Sequence, residues 1–542
     1  MPSDTTERPS SVLGIQAAAA RGDMENAFAM IDGALAAGEM DPLLYKLRAV
    51  RSERRGEFAA AVEDFEQALA LTPWDPAVLN ALGLCEARLG RRPRALQHLG
   101  EALRLQPDFA AAYVNRAWVL EGLGELEAAC ADYQQAVSFD EHQPFAWAAL
   151  AMLAARQGDW QAARSGAARA HADGKDVPTA IIALALADAG EDRPAEGCAR
   201  LEALLLTPHL QQDERALAQG VLADLLDRLG DTAAAFRLYV SCNADLEAAN
   251  PEAVAHWRVR GARSVVARLL DTPAEDFRSD GAGSRTPDPR APETHVFLIG
   301  FPRSGTTLLG QVLAGHPEVS TLDERETLAD AAQVFLQDGG GLQRLHDLDP
   351  DTADTFRRLY WDRVTAGGVM PGRKVFVDKL PMNILGLPII HRLFPQALIL
   401  HSVRDPRDVV LSCFRQRFAL GPSTVEFLEL HSTVGFYADV VSFCLRALET
   451  SPLGCLQQQH EALVLDFEGE TRRLCHFMGV DWTPIMQGFA SQAQARFVAT
   501  PSSADISGGL SDRSIGRWRR YQAELGSVLP RLDPWVRRFG YP

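Results

Sequence analysis

The stretch FLIGFPRSGTT (297–307) places Pro302, Arg303, Ser304, Gly305, Thr306 and Thr307 directly after an apolar run. One planar cation, three hydroxyls and a glycine within six residues make a grip suited to an anion. If the apolar run is a strand and the residues after it open a helix, free backbone N–H groups and the helix dipole add to that grip. Gly300 and Gly305 have the spacing of the nucleotide loop GxxxxGK[ST], whose lysine reaches the β/γ-phosphates and whose next hydroxyl holds Mg²⁺. Here Thr306 stands at the lysine position. Three readings follow: a structural turn, an ATP or GTP site without its lysine, and a site for another phosphate-bearing ligand.

The elements that must position this loop are legible nearby. HVFLIG (295–300) has the short apolar character of a buried parallel strand, and TTLLGQVLAGH (306–316) has helical spacing of leucine and valine. KVFVDKLPMN (374–383) reads as a second strand ending at Asp378, Lys379, Leu380 and Pro381. ALILHSVRDPRDVVLSCF (397–414) reads as a third strand, a turn and a helix. Asp405 and Pro406 suit the cap and first turn of that helix, and Arg407 is expected to face solvent. Eight residues separate Arg404 from Ser412, a little over two helical turns, so Ser412 lies back on one helix face. The expected architecture of this half is α/β, with a central parallel sheet and a P-loop-like phosphate loop.

PRSGTT after an apolar strand resembles the 5′-phosphosulfate loop of sulfotransferases that use 3′-phosphoadenosine 5′-phosphosulfate (PAPS), above all the tyrosylprotein sulfotransferase branch and its repeat-linked bacterial relatives. The resemblance covers about residues 294–525. It implies transfer of a sulfuryl group from PAPS to an acceptor hydroxyl, tyrosine of a protein or peptide among the candidates, with no metal. Residues 302–307 would hold the 5′ end of the donor. Glu324, 21 residues after Arg303, matches the branch's catalytic glutamate and would be the general base; a solvated acidic loop is the alternative. Lys379 would stabilise the departing phosphate alongside Arg303, and Arg404 with Ser412 would bind the 3′-phosphate. Ser503 and Arg517, in TPSSADISGGLSDRSIGRWRRY (500–521), match further donor-contacting positions, although residues 505–510 depart from the family pattern. His460, in QQHEALV, stands where the family has tyrosine. Glu326 and Asp330 occupy positions at which the tyrosylprotein branch has arginines, which puts acidic-tyrosine peptides in doubt and leaves a carbohydrate, lipid or small-molecule hydroxyl, or a differently charged peptide, open. Two other readings are a nucleotide kinase or NTPase, and a scaffold whose second domain has lost catalysis.

The first half carries a repeat. Gly22, Gly56, Gly90, Gly124 and Gly158 are each 34 residues apart. Ala27, Ala61, Ala95, Ala129 and Ala163 follow five positions later, and Ala34, Ala68, Ala102, Ala136 and Ala170 twelve positions later. Glycine permits a tight turn between antiparallel helices, and small residues seven apart share a face and allow close helix approach. This resembles the tetratricopeptide repeat (TPR), with five clear units and about two degenerate ones over residues 10–250. It implies an all-α superhelix with a concave surface for a protein partner, an acceptor or self-association. PEAVAHWRVRGARSVVARLLD (251–271) is expected to be one closing helix.

A Pro-, Gly-, Ser- and Asp-rich linker at 272–293 sets expected domains of 10–271 and 294–542. The net charge of −17 argues against general nucleic-acid binding. That acidity is uneven: residues 293–542 hold 25 Arg and Lys against 28 Asp and Glu, so the second half can still receive a polyanion. The eight cysteines are scattered without a CxxC pair, which suggests reduced thiols. With no apolar run of membrane length and no leader-like start, the expected location is cytoplasmic, with no membrane anchor.

Overall fold

The computed structural model describes residues 10–542 apart from 173, 175, 209, 274–287, 370, 371, 373 and 491–509. Contacts divide the chain into two compact units, Met1–Glu191 and Asp192–Pro542.

The first unit is built of helices in the expected register. Each 34-residue glycine follows one helix and precedes the next, as Gly56 does between Pro42–Arg54 and Phe58–Leu71. All five glycines have φ between 75° and 79°, in the left-handed region that side-chain-bearing residues avoid. The alanines five positions on are buried in every unit, and so are those twelve positions on from Ala68 to Ala170. Repetition extends to polar contacts. Arg48 Nη2 lies 2.6 Å from Asp64 Oδ1, and two repeats later Arg116 Nη2 lies 2.7 Å from Asp132 Oδ1.

The second unit begins well before the expected linker. The helices Gln212–Leu229 and Thr232–Ala249 pair around Gly230, whose φ is 94°. Tyr239, Val266 and Leu269 join the core cluster that holds Phe297, Phe376 and Phe436. The physical reason is apolar surface: these helices have a second greasy face, and it is buried against the α/β layers. Residues 251–271 form two helices, Pro251–Arg260 and Ala262–Asp271, where one was expected. The break falls at Gly261, whose backbone is extended and whose hypothetical Cβ would lie 2.3 Å from Trp257 O and 2.5 Å from Pro422 O. The next amide, Ala262 N–H, donates to Pro422 O instead of continuing the helix.

Five parallel strands form the sheet: β1 (Thr294–Gly300), β2 (Val319–Asp323), β3 (Val375–Lys379), β4 (Leu398–Val403) and β5 (Cys455–Gln459), in the order β2-β3-β1-β4-β5. The three expected strands are central and nearly all buried, as expected of parallel strands covered on both faces. The sequence reading leaves 319–323 and 455–459 without strands. Both are edge strands with mixed sequences, VSTLD and CLQQQ, and half-exposed positions. From β1 the chain runs to one side for β2 and β3, then crosses to β4 and β5. The carboxyl ends beside β1 therefore flank a topological switch point, where open α/β sheets take their ligands.

Candidate functional site

The phosphate loop follows β1 and ends at the helix Thr306–Ala314. Gly305 caps that helix at φ 94°, and a Cβ there would lie 2.6 Å from His460 Nδ1. A Cβ on Gly300 would lie 2.6 Å from Ser304 Oγ and 2.7 Å from Ser402 O. Both glycines are thus required, one by conformation and both by close approach. Ser304, Thr306 and Thr307 are buried, and Ser402 Oγ donates 2.8 Å to Ser304 O. Pro302 O accepts from Cys413 Sγ at 3.3 Å, which fixes the loop against the helix Pro406–Arg415.

Arg303 has φ 69°, one of three non-glycine residues with positive φ among those described. Such a conformation is uncommon outside glycine and is held in place only by surrounding contacts. Its Nε donates 2.9 Å to Ser412 Oγ, 109 residues away, and its carbonyl accepts from Arg404 Nη1 at 3.3 Å. The buried Arg404 also donates to Ser514 O at 2.6 Å. Arg303, Arg404 and Ser412 therefore form one cluster beside β1 and β4. Asp405 caps the helix as expected, accepting from Arg407 N. Arg407 departs from expectation. It is buried, chelated by Asp405 at 2.9 and 2.7 Å and stacked 4.0 Å over the Trp518 ring, because the C-terminal segment folds over this face.

On the other side of β1, β3 ends at Lys379, whose side chain is fully buried. Its Nζ lies 3.0 Å from Glu324 Oε1 and 3.3 Å from Asp323 Oδ1. Glu324 N–H donates to Lys379 O at 2.7 Å, while its side chain remains 40% exposed, open to a substrate. Glu324 is the second positive-φ non-glycine residue, at 48°. Asp378, on the opposite face of β3, accepts from Thr327 Oγ1 at 2.6 Å and Tyr360 OH at 2.9 Å, which ties down the segment carrying Glu324. Burial pushes the Asp378 carboxyl up to about 6.

His460 opens the helix His460–Leu465 and packs over Gly305. Burial, reinforced by Arg404 and Arg303, pushes its imidazole down to about 3, so the ring is neutral. Both ring nitrogens, Ser304 Oγ and Arg404 Nε are buried without a hydrogen-bond partner among the described residues. Orphaned polar atoms are costly, and the donors among them, Ser304 Oγ, Arg404 Nε and the single N–H of the neutral His460 ring, fit an anionic ligand completing them. Arg517 sits in the turn Arg517–Tyr521 with its Nη2 3.4 Å from Asp227 Oδ2. Ser503 lies outside the described residues, as does most of the divergent stretch 505–510. Asp227, 290 residues before Arg517, gave no signal in the sequence; Ser514 and Asp323 were likewise not singled out.

Residues 295–484 match the model of the sulfotransferase family. The chain carries a sulfotransferase-family domain. Residues 45–173 match the middle TPR-like domain of cilia and flagella-associated protein 70, so a TPR-like region precedes it. An uncharacterized protein of Aquifex aeolicus is 27% identical over 63% of this chain and 44% of its own length. Protein-tyrosine sulfotransferase 1 of Danio rerio is 26% identical over 34% of this chain and 53% of its own. The sulfotransferase domain of the Synechococcus olefin synthase is 25% identical over 44% of this chain and 91% of its own, with a TM-score of 0.29. The chain spans about half the length of the curated relatives it matches.

Proposed function

We propose that the sulfotransferase-family domain transfers a sulfuryl group from PAPS to an acceptor hydroxyl, and that the TPR-like region recruits a protein partner or the acceptor. The observation that carries this reading is the convergence of Arg303, Ser412 and Arg404 on one cluster, from segments more than 100 residues apart, beside orphaned buried donors. Relatives named protein-tyrosine sulfotransferases make tyrosine one candidate acceptor. A cytoplasmic location is part of the same proposal.

The donor supplies the sulfuryl group and leaves as adenosine 3′,5′-bisphosphate. Residues 302–307, Arg404 and Ser412 bind its phosphates; Arg517 adds a further cation. Glu324, half-exposed at a strand end, removes the acceptor proton. Its contact with Lys379 holds the carboxylate aimed before substrates arrive, and Lys379 then faces negative charge developing on the leaving phosphate. Most of the rate gain would come from positioning and charge stabilisation, as in phosphoryl transfer.

Calorimetry with adenosine 3′,5′-bisphosphate in EDTA tests the reading. Binding is expected without metal, weakened roughly tenfold or more in Arg303→Ala and Arg404→Ala, in line with losing a charge-assisted phosphate contact. Binding of ATP with Mg²⁺ and none of the bisphosphate would replace this function with a kinase or NTPase.

A further inference from the structure

The helix Gln212–Leu229 lies outside the segment matched by the sulfotransferase family, yet it presents two carboxylates to the transfer domain. Asp224 accepts from Tyr239 OH at 2.8 Å, Arg415 Nη2 at 3.1 Å and Arg417 Nη1 at 3.1 Å. Asp227, only 1% exposed, faces three guanidinium groups: Arg415 at 3.2 Å, Arg520 at 3.1 Å and Arg517 at 3.4 Å. Arg520 Nη2 also donates to Asp227 O at 2.5 Å. Four arginines thus meet two aspartates, leaving surplus positive charge in a chain of net charge −17. Arg415 and Arg417 keep only 11% and 24% side-chain exposure, but Arg517 and Arg520 keep 38% and 44%, so the surplus charge lies on a side that an anion can reach.

Arg517 is held from two directions. Asp408 accepts from the backbone N–H of Gly516 at 2.7 Å and of Trp518 at 2.8 Å, on either side of it. Asp408, Ser412 and Arg415 lie on one face of the helix Pro406–Arg415, at i, i+4 and i+7. The helix that bonds Arg303 through Ser412 therefore also fixes the Arg517 backbone, and reaches Asp227 through Arg415. Arg404 binds Ser514 O three residues earlier, so this segment borders the donor cluster. Asp227 meets Arg517 on its Nε/Nη2 edge, where Nε is buried without a hydrogen-bond partner among the described residues, while the side chain keeps 38% exposure, so the rest of the guanidinium is open.

We propose that Asp227 is a positioning residue for donor binding: it holds the Arg517 guanidinium by its Nε/Nη2 edge so that the exposed part meets a phosphate of the nucleotide. The inference rests on the sulfotransferase reading above. It makes the helix pair Gln212–Leu229 and Thr232–Ala249 a working part of the donor site. A rigidly held guanidinium loses less side-chain entropy on binding an anion than a free one.

Titration of adenosine 3′,5′-bisphosphate into the full chain, with melting temperatures recorded in parallel, tests it. Asp227→Asn should weaken binding by about 5- to 10-fold and Arg517→Ala by about 10-fold, the range of one charge-assisted hydrogen bond. The double variant should bind no worse than Arg517→Ala alone, because the aspartate acts through the arginine. Asp224→Asn, which removes a carboxylate that does not touch Arg517, should lower the melting temperature while leaving binding within about twofold. If Asp227→Asn is too unstable to titrate, Asp227→Glu keeps the charge and displaces it, and about 3-fold weaker binding, absent in the Arg517→Ala background, is expected. Wild-type affinity in the Asp227 variants, or losses that add to those of Arg517→Ala, would overturn the proposal. Binding unaffected by Arg303→Ala and Arg404→Ala would instead overturn the sulfotransferase reading itself.

Discussion

Cutting the chain at residue 290, just ahead of β1, should destroy the transfer domain, whereas the fragment Asp192–Pro542 should fold. The shorter fragment loses Tyr239, Val266 and Leu269, which are 1%, 0% and 2% exposed within the core cluster that includes Phe297 and Phe436. Burying one such side chain is worth about 1.5–3 kcal/mol, so these three alone account for roughly 5–9 kcal/mol. Whole domains have a net stability of only about 5–15 kcal/mol. Polar losses act in the same direction. Asn243 donates to Phe414 O at 3.0 Å and Phe427 O at 3.4 Å, and Arg263 pairs with the buried Glu426 at 2.7 Å. Without them two carbonyls and a carboxylate lose buried partners, each at about 1–3 kcal/mol. Soluble yield, near-UV circular dichroism and thermal melting of the two fragments decide the matter. A 290–542 fragment that melts cooperatively within about 5 °C of Asp192–Pro542 would refute the reasoning, since that shift corresponds to only about 1–2 kcal/mol.

Two further outcomes follow from the site. Glu324→Gln keeps an acceptor for Lys379 but cannot take a proton; bisphosphate affinity should stay within about twofold while sulfate transfer to a competent acceptor falls by roughly 10²–10⁴. Retained transfer would remove Glu324 from the base role. Asp378 titrates near 6 in the fold against 3.8 in the unfolded chain, so the native state binds more protons between those values and loses stability as pH rises through them. Asp378→Asn keeps an acceptor for Thr327 and Tyr360 without that penalty, so its stability relative to wild type should rise by about 1–2 kcal/mol from pH 5 to pH 7, read by urea denaturation. A pH-independent difference would show that Asp378 does not carry this titration.

What the sequence made legible divides along a physical line. Repeat glycines and alanines act locally, through φ and through close helix contact, so their 34-residue spacing reads directly as structure. The central strands read as apolar runs for the same reason: each residue's fate depends on its own hydrophobicity. Edge strands VSTLD and CLQQQ lack that signal because their pairing is dictated by neighbours. Arg407 was expected in solvent because its burial depends on Trp518, 111 residues away. Asp227 was invisible for the same reason, since nothing in LLDRLG hints at three arginines from elsewhere. The backbone adds evidence that spacing alone lacks. Arg303 and Glu324, singled out through family spacing, are two of the three described non-glycine residues held at positive φ. A fold tolerates such conformations where surrounding contacts over-determine them. Here those contacts are Ser412 and Arg404 on one side of β1, and Lys379 on the other. The two positions follow the carboxyl ends of β1 and β2, with β3 and its Lys379 between them. That arrangement fits the proposed reaction, in which Arg303 would face the leaving phosphate and Glu324 the incoming hydroxyl.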